Sequence, residues 1–123
     1  DYAEPPKSKG GLYFMNTSSA AAEAVTLFAA AGAVVHLFTT GQGNPVGHPI
    51  LPVIKITANP KTAKLMSEHI DVDISDLLKL KITLDEAANR ILNYMLRVCS
   101  GRLTAAEVLG HREFVPTKLY RSA

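Results

Sequence analysis

Three glycines and three prolines fall within the twelve residues Gly41–Pro52 (GQGNPVGHPILP) of this 123-residue chain. Neither a helix interior nor a central strand accommodates that density, because proline lacks an N–H and glycine loses the most backbone freedom on ordering. The stretch is therefore a long connection between two apolar runs. Ala33–Thr39 (AVVHLFT) precedes it and Val53–Thr57 (VIKIT) follows it. Both are rich in β-branched residues and apolar at both parities, which marks strands covered on both faces, the habit of parallel sheets. Leu12–Met15 (LYFM), bounded by glycines before and polar residues after, reads as a further buried strand. Asp71–Ile74 (DVDI) reads as a short one.

Helices are expected between these runs. Ser18–Ala31 is dominated by alanine, the best helix former, and Gly32 suits the residue after a helix end. Asn59–Pro60 is a helix start, asparagine capping and proline fitting the first turn. Thr83-Leu-Asp-Glu86 and Thr104-Ala-Ala-Glu107 are capping boxes. The helix opened by the first places Leu84, Ala87, Ala88, Ile91, Leu92, Met95, Val98 and Cys99 on one apolar face and stops at Ser100–Gly101. Cys99, on that face, is expected to be a buried, inert thiol. Strands alternating with helices predict an α/β fold, a Rossmann-like three-layer domain with a small, mostly parallel sheet flanked by helices. Residues 1–10, with two prolines, read as a linker or arm, 11–123 as a single domain, and His111–Ala123 as an irregular tail.

Composition narrows the function. Thirteen basic against eleven acidic residues leave a net charge of +2, too small a field to recruit nucleic acid or an anionic membrane surface. A single cysteine permits no internal disulfide framework, which fits a reducing, cytoplasmic setting. No apolar stretch approaches the roughly 20 residues of a membrane-spanning helix. The chain starts at Asp1 without an initiator methionine and reads as a piece of a longer polypeptide.

In an open α/β sheet, ligands bind beyond the carboxyl ends of the strands. Three loops stand there: Asn16–Ser19, Thr39–Pro49 and Thr57–Pro60. Thr39, Thr40, Gly41, Gln42, Gly43 and Asn44 combine hydroxyls, amides and approachable backbone N–H groups, a cradle for a carboxylate or phosphate, or else an ordinary long turn. The glycine spacing is not a dinucleotide fingerprint, and no Gly-Lys-Ser/Thr follows to make a P-loop. Lys55, inside an apolar strand, either snorkels from a sheet edge or serves as a functional cation. A buried Lys55 would bind a substrate carboxylate or transfer a proton. His69, Asp71 and Asp73 alternate as a metal half-site would, although a helix-end histidine and hydrogen-bonded aspartates account for them as well. His36 reads as a core or edge histidine, His111 as packing or charge, and His48, in the glycine-proline loop, as the histidine best placed for solvent-facing chemistry.

The ordered set Gly11–Thr17 (GLYFMNT), Ala30–Ala33 (AAGA), Phe38–Gly43 (FTTGQG), Pro52–Ile56 (PVIKI) with Asn59, Asp71–Asp73 (DVD) and Ser100–Glu107 (SGRLTAAE) resembles the C-terminal end of the altronate/galactarate dehydratase family. That resemblance implies a metal-dependent lyase, with a divalent metal, typically iron, that removes water from a sugar acid to give a 2-keto-3-deoxy acid. A related branch resembles the large subunit of sulfolactate sulfo-lyase, which expels sulfite from 3-sulfolactate. It further implies that this chain is the C-terminal part of a longer lyase, inactive alone, partnered by the rest of its polypeptide or a small subunit in a homo-oligomer. By position, Lys55 would be catalytic, and Thr39, Thr40, Gly41, Gln42, Gly43 and Asn59 would bind a hydroxy-acid substrate, the metal ligands being unknown. The chain departs from the family where Asn16 replaces an aspartate and Gln42 an arginine. Losing that arginine removes a bidentate carboxylate clamp. Gly41–Asn44 (GQGN) resembles the sulfolactate branch. The rival readings are a non-catalytic small-molecule module and a domain whose long helix serves assembly.

Overall fold

The structure, a computed structural model, describes residues 1–116. Its elements run α1 (Ala21–Ala30), β1 (His36–Thr39), β2 (Val53–Thr57), α2 (Pro60–Leu65), β3 (Val72–Asp73), α3 (Ser75–Leu78), α4 (Leu84–Cys99) and α5 (Ala105–Val108). The three strands form one parallel sheet in the order β1-β2-β3. His36 pairs with Val53 and Thr39 with Ile56. The glycine-proline stretch is thus the crossover between two parallel neighbours, a role that commonly falls to a helix.

Local hydrogen bonds place the helix starts where the residue types predict them. The Asn59 Oδ1 accepts the Lys61 N–H at 3.0 Å. Both capping boxes close: Glu86 accepts the Thr83 N–H at 2.7 Å, and Glu107 the Thr104 N–H at 2.8 Å.

β2 is buried along its whole length. Its alternate residues point to opposite faces. Ile54 and Ile56 pack with Val72 and with Val98 of α4, flanked by Ile91, Tyr94 and Met95. Val53 packs with Val25 of α1 and Leu51, flanked by Phe28 and Phe38.

Three expectations are corrected. Leu12–Met15 forms no strand: residues 1–20 hold neither helix nor strand, and Leu12 and Phe14 are 85% and 91% exposed. An apolar run expresses a preference for burial but names no pairing partner. The apolar face of α4 is only half used: Ile91, Tyr94, Met95 and Val98 join the sheet-side cluster and Ala87 is buried, while Leu84 and Leu92 stay exposed. Cys99 lies on the uncovered side and is exposed. The tail is irregular through Pro116, and the rest of it lies outside the described residues.

Candidate functional site

At the carboxyl end of β1 the chain turns sharply through Thr40–Gly43. The Thr40 N–H still bonds to the Ile56 carbonyl of β2 at 2.9 Å, and the Thr40 Oγ1 accepts the Gly43 N–H at 3.0 Å. Gly43 sits at φ +91°, a left-handed conformation that glycine adopts without penalty. Two side chains then converge on one carbonyl: Asn59 Nδ2 and Thr62 Oγ1 each donate to Gly41 O at 2.7 Å. Asn59 therefore caps α2 with its oxygen and ties the loop down with its nitrogen. These contacts leave Thr39, Gly41 and Gln42 exposed at the sheet's carboxyl edge.

Lys55 lies beneath. It is 0% exposed in the central strand, so the edge reading is overturned. Its Nζ donates to the Val46 carbonyl and stands 5.8 Å from the centroid of the Phe38 ring. Burial lowers the ammonium from 10.5 to about 8, against the opposing pull of Asp71 and Glu113. Asp71 binds three elements at once. Its carboxylate accepts the Lys55 N–H at 2.7 Å, the Tyr94 hydroxyl at 2.8 Å and the Ala105 N–H at 2.8 Å. Burial and that carboxylate push the Tyr94 phenol up to about 12.

These two shifts set a pH window. Between pH 8 and 10.5 the unfolded chain holds a lysine proton that the folded chain has released, so stability rises with pH. Above pH 10 Tyr94 works the other way, because the folded chain keeps a phenol proton that the unfolded chain loses. The Lys55 contribution is therefore expected as a rise in urea midpoint from pH 8 to 10 that is missing in Lys55→Met. Parallel pH profiles for the two proteins would refute the assignment.

The remaining candidates separate. His48 is 4% exposed, with burial lowering its pKa, so it does not face solvent: Leu51 and Phe114 draw its segment inward. His36 is half-buried against Phe28 and Phe38. His69 lies beside the ring of His111, centroids 5.4 Å apart, and Asp73 accepts the Ser75 N–H at 2.7 Å. With Asp71 committed to three donors, this half-site does not assemble. Among the described residues no three His, Cys, Asp or Glu side chains stand together as metal ligands.

The tail supplies a residue that no sequence signal marks. Glu113 Oε2 accepts the Gly47 N–H at 2.7 Å, 66 residues away, and its Oε1 is 3.3 Å from His111 Nδ1. Tyr94 was likewise hidden, a phenol within an apolar helix face. The Asp71 alternation with Asp73 was visible, but its partners were not.

Comparison with known proteins identifies the family. A family model described as D-galactarate/altronate dehydratase, C-terminal, matches residues 1–122. The chain is 60% identical over all 123 residues to (2R)-sulfolactate sulfo-lyase subunit beta of Chromohalobacter salexigens, spanning 31% of that protein. It is 30% identical over 106 residues, 86% of the chain, to altronate dehydratase of Bacillus subtilis, covering 21% of it. It is 28% identical over 95 residues, 77% of the chain, to galactarate dehydratase (L-threo-forming) of Escherichia coli, covering 18% of it. No helix among the described residues is long and apolar enough to cross a membrane.

Proposed function

The chain belongs to the D-galactarate/altronate dehydratase C-terminal family, and on that premise we propose that it is the C-terminal domain of a lyase that expels the β-substituent of a 2-hydroxy acid. The proton alpha to a carboxylate is very weakly acidic, so such a lyase must stabilise the enediolate formed when a base removes it. The substituent on C3 then leaves with the bonding electrons, and the enol tautomerises to a keto acid. From a sugar acid the leaving group is water and the product a 2-keto-3-deoxy acid. From 3-sulfolactate it is sulfite and the product pyruvate. The relatives support the two leaving groups equally.

The observation that carries this reading is the loop anchored through Gly41 O by Asn59 and Thr62. It presents Thr39, Thr40, Gly41, Gln42 and Gly43 at the carboxyl edge where α/β sheets bind ligands. In this proposal they receive the hydroxy-acid carboxylate. Asn59 holds the loop's shape, and Lys55 acts from beneath as a fixed cation. We read the sheet and its flanking helices as Rossmann-like and three-layered, and the enzyme as cytoplasmic. Because the chain spans less than a third of the relatives it matches, the rest of the polypeptide, a small partner subunit and a homo-oligomeric assembly belong to the same proposal.

Purified full-length protein supplied with iron is expected to release keto acid from a panel of sugar acids, or pyruvate and sulfite from 3-sulfolactate. No product from either class sinks the reading. In the active protein Lys55→Ala is expected to lower kcat/KM by about 100-fold, on the order of 3 kcal/mol of transition-state stabilisation. Unchanged turnover in a folded variant removes Lys55 from the site.

A further inference from the structure

The Val46 carbonyl and the Gly47 N–H belong to one peptide unit, and the structure places an opposite charge at each end of it. The Lys55 ammonium donates to the carbonyl, and the Glu113 carboxylate accepts from the N–H at 2.7 Å. We propose that Glu113 is a positioning residue: with Lys55 it clamps the Val46–Gly47 peptide and so holds the substrate loop on the sheet, two opposite charges acting on the two ends of one peptide unit. This rests on the lyase reading for its functional consequence but not for its geometry.

Three observations support the clamp. First, both charges polarise the peptide in the same sense, since a cation at the oxygen and an anion at the N–H reinforce its dipole and strengthen both hydrogen bonds. Second, the space around Gly47 is closed: a Cβ there would lie 2.2 Å from His111 O, so the tail backbone lies directly against the loop. Third, among the described residues the Lys55 ammonium has Val46 O as its one hydrogen-bond acceptor.

The charged and titratable groups around the pair come from four places. His36 of β1 faces Lys55, and the Lys55 charge lowers its pKa in addition to the larger effect of burial. Asp71, just before β3, and Glu113 in the tail both favour the charged ammonium. His111 sits on the second oxygen of Glu113, with the His69 ring beyond it. Burial acts to raise the Glu113 carboxyl, but the N–H bonds from Gly47 and its own backbone, with His111, outweigh it and the net shift is downward. Glu113 thus keeps its charge through neutral pH. Lys55 is the group whose charge changes in mildly alkaline solution.

Selective glycine 15N labelling of the full-length protein reads the clamp directly at the Gly47 amide, whether or not the protein proves to be a lyase. In wild type this resonance is expected to move with one transition near pH 8 and to exchange slowly with solvent. Glu113→Gln removes the anion, so the transition is expected to shift to lower pH and exchange to accelerate at least tenfold. Lys55→Arg keeps a permanent charge and should abolish the transition while leaving exchange slow. A Gly47 resonance that titrates alike in wild type and Lys55→Arg overturns the proposal, as does exchange unaltered in Glu113→Gln. If activity is present, Glu113→Gln is expected to raise KM more than it lowers kcat, because it loosens a binding loop. An equal fall in kcat with KM unchanged overturns the assigned role.

Discussion

Asp71→Ala is expected to cost about 3–5 kcal/mol, because it strands three donors at once. The carboxylate accepts from the backbone of β2 at Lys55, from the α4 side chain Tyr94 and from the first residue of α5, Ala105. Each buried donor left without an acceptor costs roughly 1–3 kcal/mol, more than the net gain of the bond it lost. Solvent entering the space would relieve part of that sum, which sets the estimate below its maximum. Domains of this size have only about 5–15 kcal/mol in total, so the loss takes a large share of stability. It should appear as a fall of at least roughly 10 °C in Tm. Asp71→Asn separates charge from connectivity. Its oxygen can still serve Tyr94 and Ala105, but its amide then confronts the Lys55 N–H donor to donor. About half the loss is expected to remain. A cost below about 1 kcal/mol for Asp71→Ala would show that the carboxylate is not the joint between β2, α4 and α5.

Gly47→Ala is expected to be as damaging, for a steric reason. The added Cβ would stand 2.2 Å from the His111 carbonyl oxygen and 2.9 Å from its carbon, with Ala106 Cβ at 3.1 Å. These first two atoms are backbone and cannot rotate away. Relief requires the tail to withdraw, and withdrawal breaks the 2.7 Å bond from the Gly47 N–H to Glu113. Overpacking of this kind costs roughly 1–3 kcal/mol and a hydrogen bond to a charged group about 1.5–3 kcal/mol more. A total of about 3–5 kcal/mol is expected in denaturant unfolding. Gly43→Ala is the instructive contrast. Its Cβ would meet Met66 Sδ at 2.0 Å, the end of a flexible side chain, so the left-handed backbone at φ +91° is its main obstacle. If the two variants unfold at the same denaturant concentration, the His111 contact is not rigid.

The elements legible in the sequence are those made by hydrogen bonds within four residues. Asn59 before Pro60, and the Thr83–Glu86 and Thr104–Glu107 boxes, declare their helices because donor and acceptor lie at fixed offsets along the chain. VIKIT declares a strand buried on both faces, and burial follows at every position. The irregular course of Thr40–Pro52 could be read because punctuation by glycine, proline and asparagine is local. Leu12–Met15 shows the limit: its composition is that of a strand, yet pairing needs a neighbour that no local pattern supplies.

What the sequence determined by itself was the alternation of strands and helices, the positions of the caps, the place of the glycine-proline crossover and the family motifs spread along the chain. Each depends on residue type and short spacing alone. The tertiary structure alone decided that Lys55 is buried in the central strand, that Asp71 joins β2, α4 and α5, that His48 turns inward while Cys99 faces out, and that Glu113 reaches Gly47. Those outcomes depend on which surfaces meet. The sequence separation from Gly47 to Glu113 is 66 residues, and nothing in either residue's neighbours encodes a partner at that range. Long-range pairing of charges appears only once the sheet and its helices have fixed where each one stands.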